Sequence, residues 1–294
     1  MKMKRLLLIV FALALLALGP LASPHADLAP APGATPAAAL SCGDGASCES
    51  STRPSLVIPE DLYRYHFGWK GIPAFDGTIQ ATRHDDERPW YLFRLEGGTR
   101  RWLDFIYKMR DRMEAVVDAG NFLPRAFYVR MSAPRERTDL TVRFDHRRRV
   151  AHAAWVKNGR TKEREIPFRR ASDPVTVLYL LESLREPGDE ATFEVVNGKA
   201  NYQVGLKVVG RERVKVRAGT FDTLVIEPTL ARLDRPHYKP RFKKMTIWVT
   251  EGETRIPVKM RSEVFIGSVS GELVEITPKR VRSARPGLLG RLRM

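Results

Sequence analysis

From Leu62 onward the sequence alternates. Leu62-Tyr63-Arg64-Tyr65-His66-Phe67-Gly68-Trp69 interleaves large apolar and polar residues, and Trp90 to Leu95, Ala126 to Met131 and Val150 to Val156 do the same. Side chains two residues apart share one face of a strand, so this period predicts strands with one face buried and one wet. Further runs at Leu140–Phe144, Tyr202–Val209, Val214–Arg217, Leu224–Ile226, Met245–Val249, Val258–Met260 and Val264–Ile266 extend the pattern. Asn158-Gly159 and Asn197-Gly198 stand between runs, and Asn-Gly suits the positive φ of tight hairpin turns. Gly210-Arg211, Ala218-Gly219 and Glu251-Gly252 mark further turns. Strands joined by links this short are antiparallel neighbours, so the fold class is mainly β, built on an antiparallel sheet.

Two stretches break the alternation. Asp173-Pro174 reads as an N-cap followed by a first-turn proline, with Val177, Leu178, Leu181 and Leu184 at helical spacing behind it. This predicts a helix to about Arg185, stopped by Pro187-Gly188. Trp102, Phe105, Ile106 and Met109 recur at i, i+3, i+4 and i+7, which predicts a shorter helix from about Thr99. Each apolar face needs a surface to cover, and the concave side of a curved sheet is the surface at hand.

The N-terminal region has a different character. Met1-Lys2-Met3-Lys4-Arg5 precedes an unbroken apolar run from Leu6 to Leu18 that ends at Gly19-Pro20. A basic start followed by a run shorter than the roughly 20 residues needed to cross a bilayer is the pattern of a signal peptide, assigned to residues 1–23, with a retained N-terminal anchor as the alternative. Residues 24–56 are rich in Ala, Pro, Ser and Gly without periodicity and read as a disordered linker. The folded domain is then 57–277, and 278–294 is a basic disordered tail. Export places the protein in the periplasm or cell envelope. There Cys42 and Cys48 would close a small disulfide loop; two free thiols in a linker, or a displaced lipoprotein box at Leu40-Ser41-Cys42, are the alternatives.

The sequence carries no recognisable catalytic motif. Gly267-Ser268-Val269-Ser270-Gly271 has valine where a serine hydrolase needs its nucleophile. There is no Walker loop and no dinucleotide fingerprint, and the six histidines are scattered without metal-ligand spacing. No catalytic residue, metal or cofactor is expected. Asp76, Asp104, Asp111, Glu114 and Asp145 are carboxylates that a glycosidase would have to pair across a cleft.

Charge is the abundant feature: 50 Lys and Arg against 34 Asp and Glu, a formal +16. Such an excess attracts polyanions, and in an exported protein these are acidic envelope polymers or an anionic membrane surface, not nucleic acid. Aromatic residues cluster early in the domain, where they serve either as core or as the wall of an apolar cavity.

Several ordered motifs resemble one family. They are Tyr65-His66-Phe67-Gly68-Trp69-Lys70-Gly71-Ile72-Pro73-Ala74, Asp111-Arg112-Met113-Glu114-Ala115-Val116-Val117-Asp118, Leu123-Pro124-Arg125-Ala126-Phe127, Phe144-Asp145, and Asp173 through Leu181. Ala218-Gly219-Thr220-Phe221-Asp222-Thr223, Trp248-Val249-Thr250 and Arg255-Ile256-Pro257-Val258 complete the set. In order and spacing they resemble the bacterial domain-of-unknown-function family 3108, over about residues 60–276. The resemblance implies a curved antiparallel sheet, an unclosed half-barrel similar to the lipoprotein carriers LolA and LolB, wrapped around one or two helices. It supplies no activity and no catalytic residues.

These readings predict a non-enzymatic envelope protein whose half-barrel binds an amphiphile: a lipid, a lipoprotein acyl chain or a lipid-linked glycan. Trp69, Trp90, Phe93, Trp102, Phe105 and Leu178 would line the cavity, and Arg147, Arg148, Lys243 and Lys244 would meet an anionic head. The alternative is a structural or adaptor protein that binds acidic envelope polymers or a protein partner. A third reading is a glycan-cleaving enzyme.

Overall fold

The computed structural model describes residues 58–279 except 236, 241, 253, 265 and 266. The predicted signal peptide, the linker with Cys42 and Cys48, and the tail from 280 lie outside the described residues. Fifteen strands form one sheet. In chain order they are β1 (Leu62–Trp69), β2 (Ile72–His84), β3 (Trp90–Thr99), β4 (Arg110–Asp118), β5 (Pro124–Ala133), β6 (Glu136–Asp145), β7 (Val150–Lys157) and β8 (Arg160–Pro167). Then come β9 (Ala171–Ser172), β10 (Glu190–Val196), β11 (Asn201–Val216), β12 (Gly219–Arg232), β13 (Phe242–Thr250), β14 (Pro257–Val264) and β15 (Gly267–Thr277). Among the described residues one α-helix, α1 (Arg101–Tyr107), joins β3 to β4.

The spatial order runs from β8 down to β1, then β15 down to β9. The first and last strands therefore pair at the centre, Leu62 opposite Thr277 and Trp69 opposite Val269. One wing meanders outward from β1 to β8; the chain then crosses and returns through the other wing. All pairings are antiparallel except the two-residue β9 beside β10. The free edges are blunted. β8 is exposed at all but one position and alternates basic and acidic residues, while β9 is too short to template a further strand.

The crossing segment fills the inside of the curve. Val175, Val177, Leu178, Leu181 and Leu184 are buried in one cluster with Phe93, Met113, Phe127 and Val142 of one wing and Tyr202, Val208, Ile226 and Ile247 of the other. The β10–β11 turn closes over the same cluster, since a Cβ on Gly198 would fall 2.8 Å from both Leu140 and Val142 of the opposite wing. The sheet is thus an unclosed half-barrel around a packed core.

Both predicted helices come out differently. Asp173 does cap its segment, accepting the amides of Val175 and Thr176 at 2.8 and 3.0 Å. Beyond the cap the chain makes two 3-10 turns, Thr176–Tyr179 and Leu181–Ser183, separated by Leu180 at φ −95° and ψ 15°. An α-helix hides one stripe, but this segment is walled in by both wings, and its β-branched Val175-Thr176-Val177 run is a weak helix former. In α1 the expected inward face is reversed: Leu103 and Tyr107 pack on Phe75 and Met109, while Trp102, Phe105 and Ile106 face solvent. Gly210, read as a turn, instead lies inside the sixteen-residue β11, paired with Val225 just after a bulge at Val209.

Candidate functional site

A groove of about 790 Å³ crosses β15, β1, β2, β3, β4 and β5. Strand alternation supplies its charged border: Arg64 and His66 from β1, Asp76 from β2, Glu96 from β3, Arg110 and Arg112 from β4, Arg130 from β5 and Glu275 from β15. Arg217, at the β11–β12 turn, reaches it from the other wing. Five guanidinium groups therefore converge on one open site.

Each is steered by a carboxylate. Arg64 pairs with Glu275 at 3.3 Å, Arg217 with Glu272 at 3.4 Å and Arg130 with Asp139 at 2.8 Å. Arg112 bridges Glu96 at 3.4 Å and Glu114 at 2.6 Å, and Arg94 holds Glu114 from the other side at 2.8 Å. Burial alone would raise the Glu114 carboxyl, but the two arginines hold it below its usual range. Arg110 forks onto both oxygens of Asp104, whose pKa falls to about 2 through that contact and the Thr99 hydroxyl. Exposed pairs of this kind add little stability. What they do is fix the guanidinium planes at the groove. Planar forks of this type suit carboxylate, phosphate or sulfate groups.

Asp111 stands between the two β4 arginines, so strand alternation turns its side chain to the other, buried face with Met113. It is only 5% exposed, and its Oδ1 accepts the Ser132 amide at 3.2 Å. Burial pushes its pKa up to about 7, against the smaller opposing pull of that amide. His66 is moved the other way, lowered by burial and by Arg100, with Asp76 at 3.4 Å opposing the shift. Among the described residues no cluster of His, Cys, Asp and Glu could hold a metal ion.

Residues 62–274, from the start of β1 to near the end of β15, match the family described as protein of unknown function (DUF3108). The chain belongs to that family. No curated protein matches this DUF3108 member. Its fold is shared with a β-barrel-like protein of domain of unknown function DUF1849 from Brucella abortus, at a TM-score of 0.52 and 9% identity over 74% of this chain and 96% of that one. A Bacteroides fragilis protein described as exported, with a YmcC-like fold, matches at a TM-score of 0.34 and 8% identity over 75% and 96%. A Parabacteroides distasonis protein described as a lipoprotein matches at 0.29 and 10%, with the same coverage. The last two scores are too low to bear on the fold.

The residues expected to line an apolar cavity in the DUF3108 domain are dispersed. Phe93 and Leu178 meet in the main core. Trp69 packs partly buried in the separate cluster beneath α1. Trp90 stacks on His84 and donates to Asp86 at 2.9 Å. Trp102 and Phe105 are 51% and 94% exposed on α1. The expected head-group cations are split between wings: Arg147 and Arg148 lie exposed in the β6–β7 turn, and Lys243 and Lys244 on β13, Lys244 paired with Glu227 at 2.9 Å. The groove arginines were missed because none adjoins another basic residue in sequence, Arg64, Arg130 and Arg217 lying between apolar neighbours and Arg110 and Arg112 flanking Asp111, whereas runs such as Arg147-Arg148-Arg149 announce themselves. Their signal was present as the polar half of the alternation in β1, β4 and β5.

Proposed function

We propose that this DUF3108 protein is an exported, non-enzymatic binding protein of the cell envelope that holds an acidic envelope polymer along its arginine groove. The carrying observation is the convergence of Arg64, Arg110, Arg112, Arg130 and Arg217 on one open groove. The inside of the half-barrel is occupied by the chain's own 173–184 segment, so the apolar volume an acyl carrier needs is taken up by Val175, Leu178 and Leu181. Polar sugars bearing carboxylates or phosphates fit a border that alternates guanidinium and carboxylate, one group for the anionic substituents and the other for hydroxyls. The N-terminal basic-then-apolar pattern supports export.

The test is calorimetric titration with oligogalacturonate and with a phosphorylated core oligosaccharide, against neutral maltohexaose. Binding of an anionic probe should weaken about tenfold in Arg112→Gln/Arg130→Gln and fall as salt rises, because the contacts are charge-assisted and partly screened. Equal binding of the neutral sugar, or no loss in the double variant, would sink the proposal.

A further inference from the structure

The face of α1 that the described residues leave uncovered points to a partner. Trp102, Phe105 and Ile106 are 51%, 94% and 67% exposed, and Ile72, at the end of the neighbouring β1–β2 hairpin, is 53% exposed. Trp102 donates its indole N–H to the carbonyl of Pro73 at 3.2 Å, which joins helix and hairpin into one surface. This knob is held rigidly. Thr99 and Asp104 are joined by a hydrogen bond, the Met109 amide donates to Thr99 Oγ1 at 3.0 Å, and Arg110 closes the loop onto Asp104. A rigid mount that presents large apolar side chains to water is costly unless something covers them.

Charge and size select the occupant. Arg101 and Lys108 bracket the helix, and Lys70, 5.4 Å from the Trp69 ring, completes a cationic rim. The helix's one acidic residue, Asp104, is already gripped by Arg110. The four exposed side chains offer on the order of 500 Å² between them, from about 150–250 Å² for a whole aromatic. A stable protein interface needs about 800 Å² on each partner. Aromatic and branched side chains at the tip with Lys and Arg behind them match the water–lipid boundary: the rings enter the acyl border and the cations meet phosphate.

We propose that α1 and the β1–β2 hairpin form a docking knob that inserts Trp102, Phe105 and Ile106 into the surface of an anionic lipid bilayer. The site is separate from the groove's function, although Arg110 borders both.

The experiment adds vesicles of brominated phosphatidylglycerol or brominated phosphatidylcholine to the full chain and follows tryptophan emission. Subtracting the Trp102→Phe variant isolates the part from Trp102, so the reading is local whatever else holds the chain at the vesicle. Trp102 emission should be quenched by the anionic vesicles and less by the neutral ones. Because Phe105 and Ile106 are exposed, Phe105→Asp/Ile106→Asp should keep the folded circular dichroism spectrum. It should raise the lipid concentration for half-quenching tenfold or more. Arg101→Glu/Lys108→Glu should raise it specifically for phosphatidylglycerol. Absent quenching of Trp102, or quenching indifferent to the aspartates, overturns the proposal. So does a concentration-dependent dimer that the aspartates dissolve, because the covering surface is then a second copy.

Discussion

The ring of Tyr179 lies on that of Phe93, their centroids 3.9 Å apart and their planes 13° from parallel. Through this stack the crossing segment is fastened to β3, and the half-barrel gains a solid interior. Tyr179→Ala should destabilise the protein by roughly 3–4 kcal/mol, the usual cost of emptying an aromatic site in a core. Tyr179→Phe, which keeps the ring, should stay within about 1 kcal/mol of the parent. Urea unfolding of the two variants separates them; equal losses would mean that the hydroxyl, not the stack, matters.

Two glycines in Asn-Gly turns should respond differently to alanine. Both have positive φ, 80° at Gly159 and 84° at Gly198. Around Gly159 nothing lies within 4 Å, so Gly159→Ala incurs only the left-handed backbone cost, roughly 1–2 kcal/mol. At Gly198 the new methyl would also collide with Leu140 and Val142, adding roughly 1–3 kcal/mol of overpacking. Thermal melts should rank Gly198→Ala well below Gly159→Ala.

Asp111 makes stability depend on pH in an unusual direction. Its carboxyl titrates near 3.8 when unfolded and near 7 when folded, so the folded state holds the extra proton between those values. Its contribution is fully present below about pH 4 and is lost as pH rises toward 7. Asp111→Asn can still accept the Ser132 amide without carrying charge. It should be more stable than the parent by roughly 2–4 kcal/mol at pH 8 and nearly equal to it at pH 4. A variant whose advantage does not shrink on acidification would refute this assignment.

The Asp104–Arg110 fork should govern the order of α1 more than global stability. In Asp104→Asn the charge-assisted pair is lost while the core beneath is untouched. Hydrogen exchange in segment 99–109 should quicken at least severalfold, with the unfolding midpoint changed by less than that of Tyr179→Ala. Slow exchange in the variant would show that packing of Leu103 and Tyr107 alone holds the helix.

Legibility tracked the clarity of each strand's two faces. Strand β1 was readable because Tyr63 and Tyr65 are buried while Arg64 is exposed, and β7 likewise. β8, with Arg160 to Glu165 all exposed, has no apolar phase to detect, and only its pairing with β7 makes it a strand. β4 carries Asp111, Met113, Ala115 and Val117 on its buried face, a pattern obscured by a carboxylate at a core position. The groove was illegible for a related reason: Arg64, Arg112 and Arg130 lie far apart in sequence and meet only through strand register.

What the sequence by itself determined is local and periodic: alternation that builds antiparallel strands, Asn-Gly turns, an Asp173 cap, and motifs sufficient to assign the family. Only the tertiary structure decided where the two off-pattern segments go. Helical spacing records which side chains share a face, not what that face meets. Hence Leu178 was drawn inside by two wings that wrapped it, whereas Phe105, with the same spacing signature, was left in water because Leu103 and Tyr107 already filled the surface beneath α1.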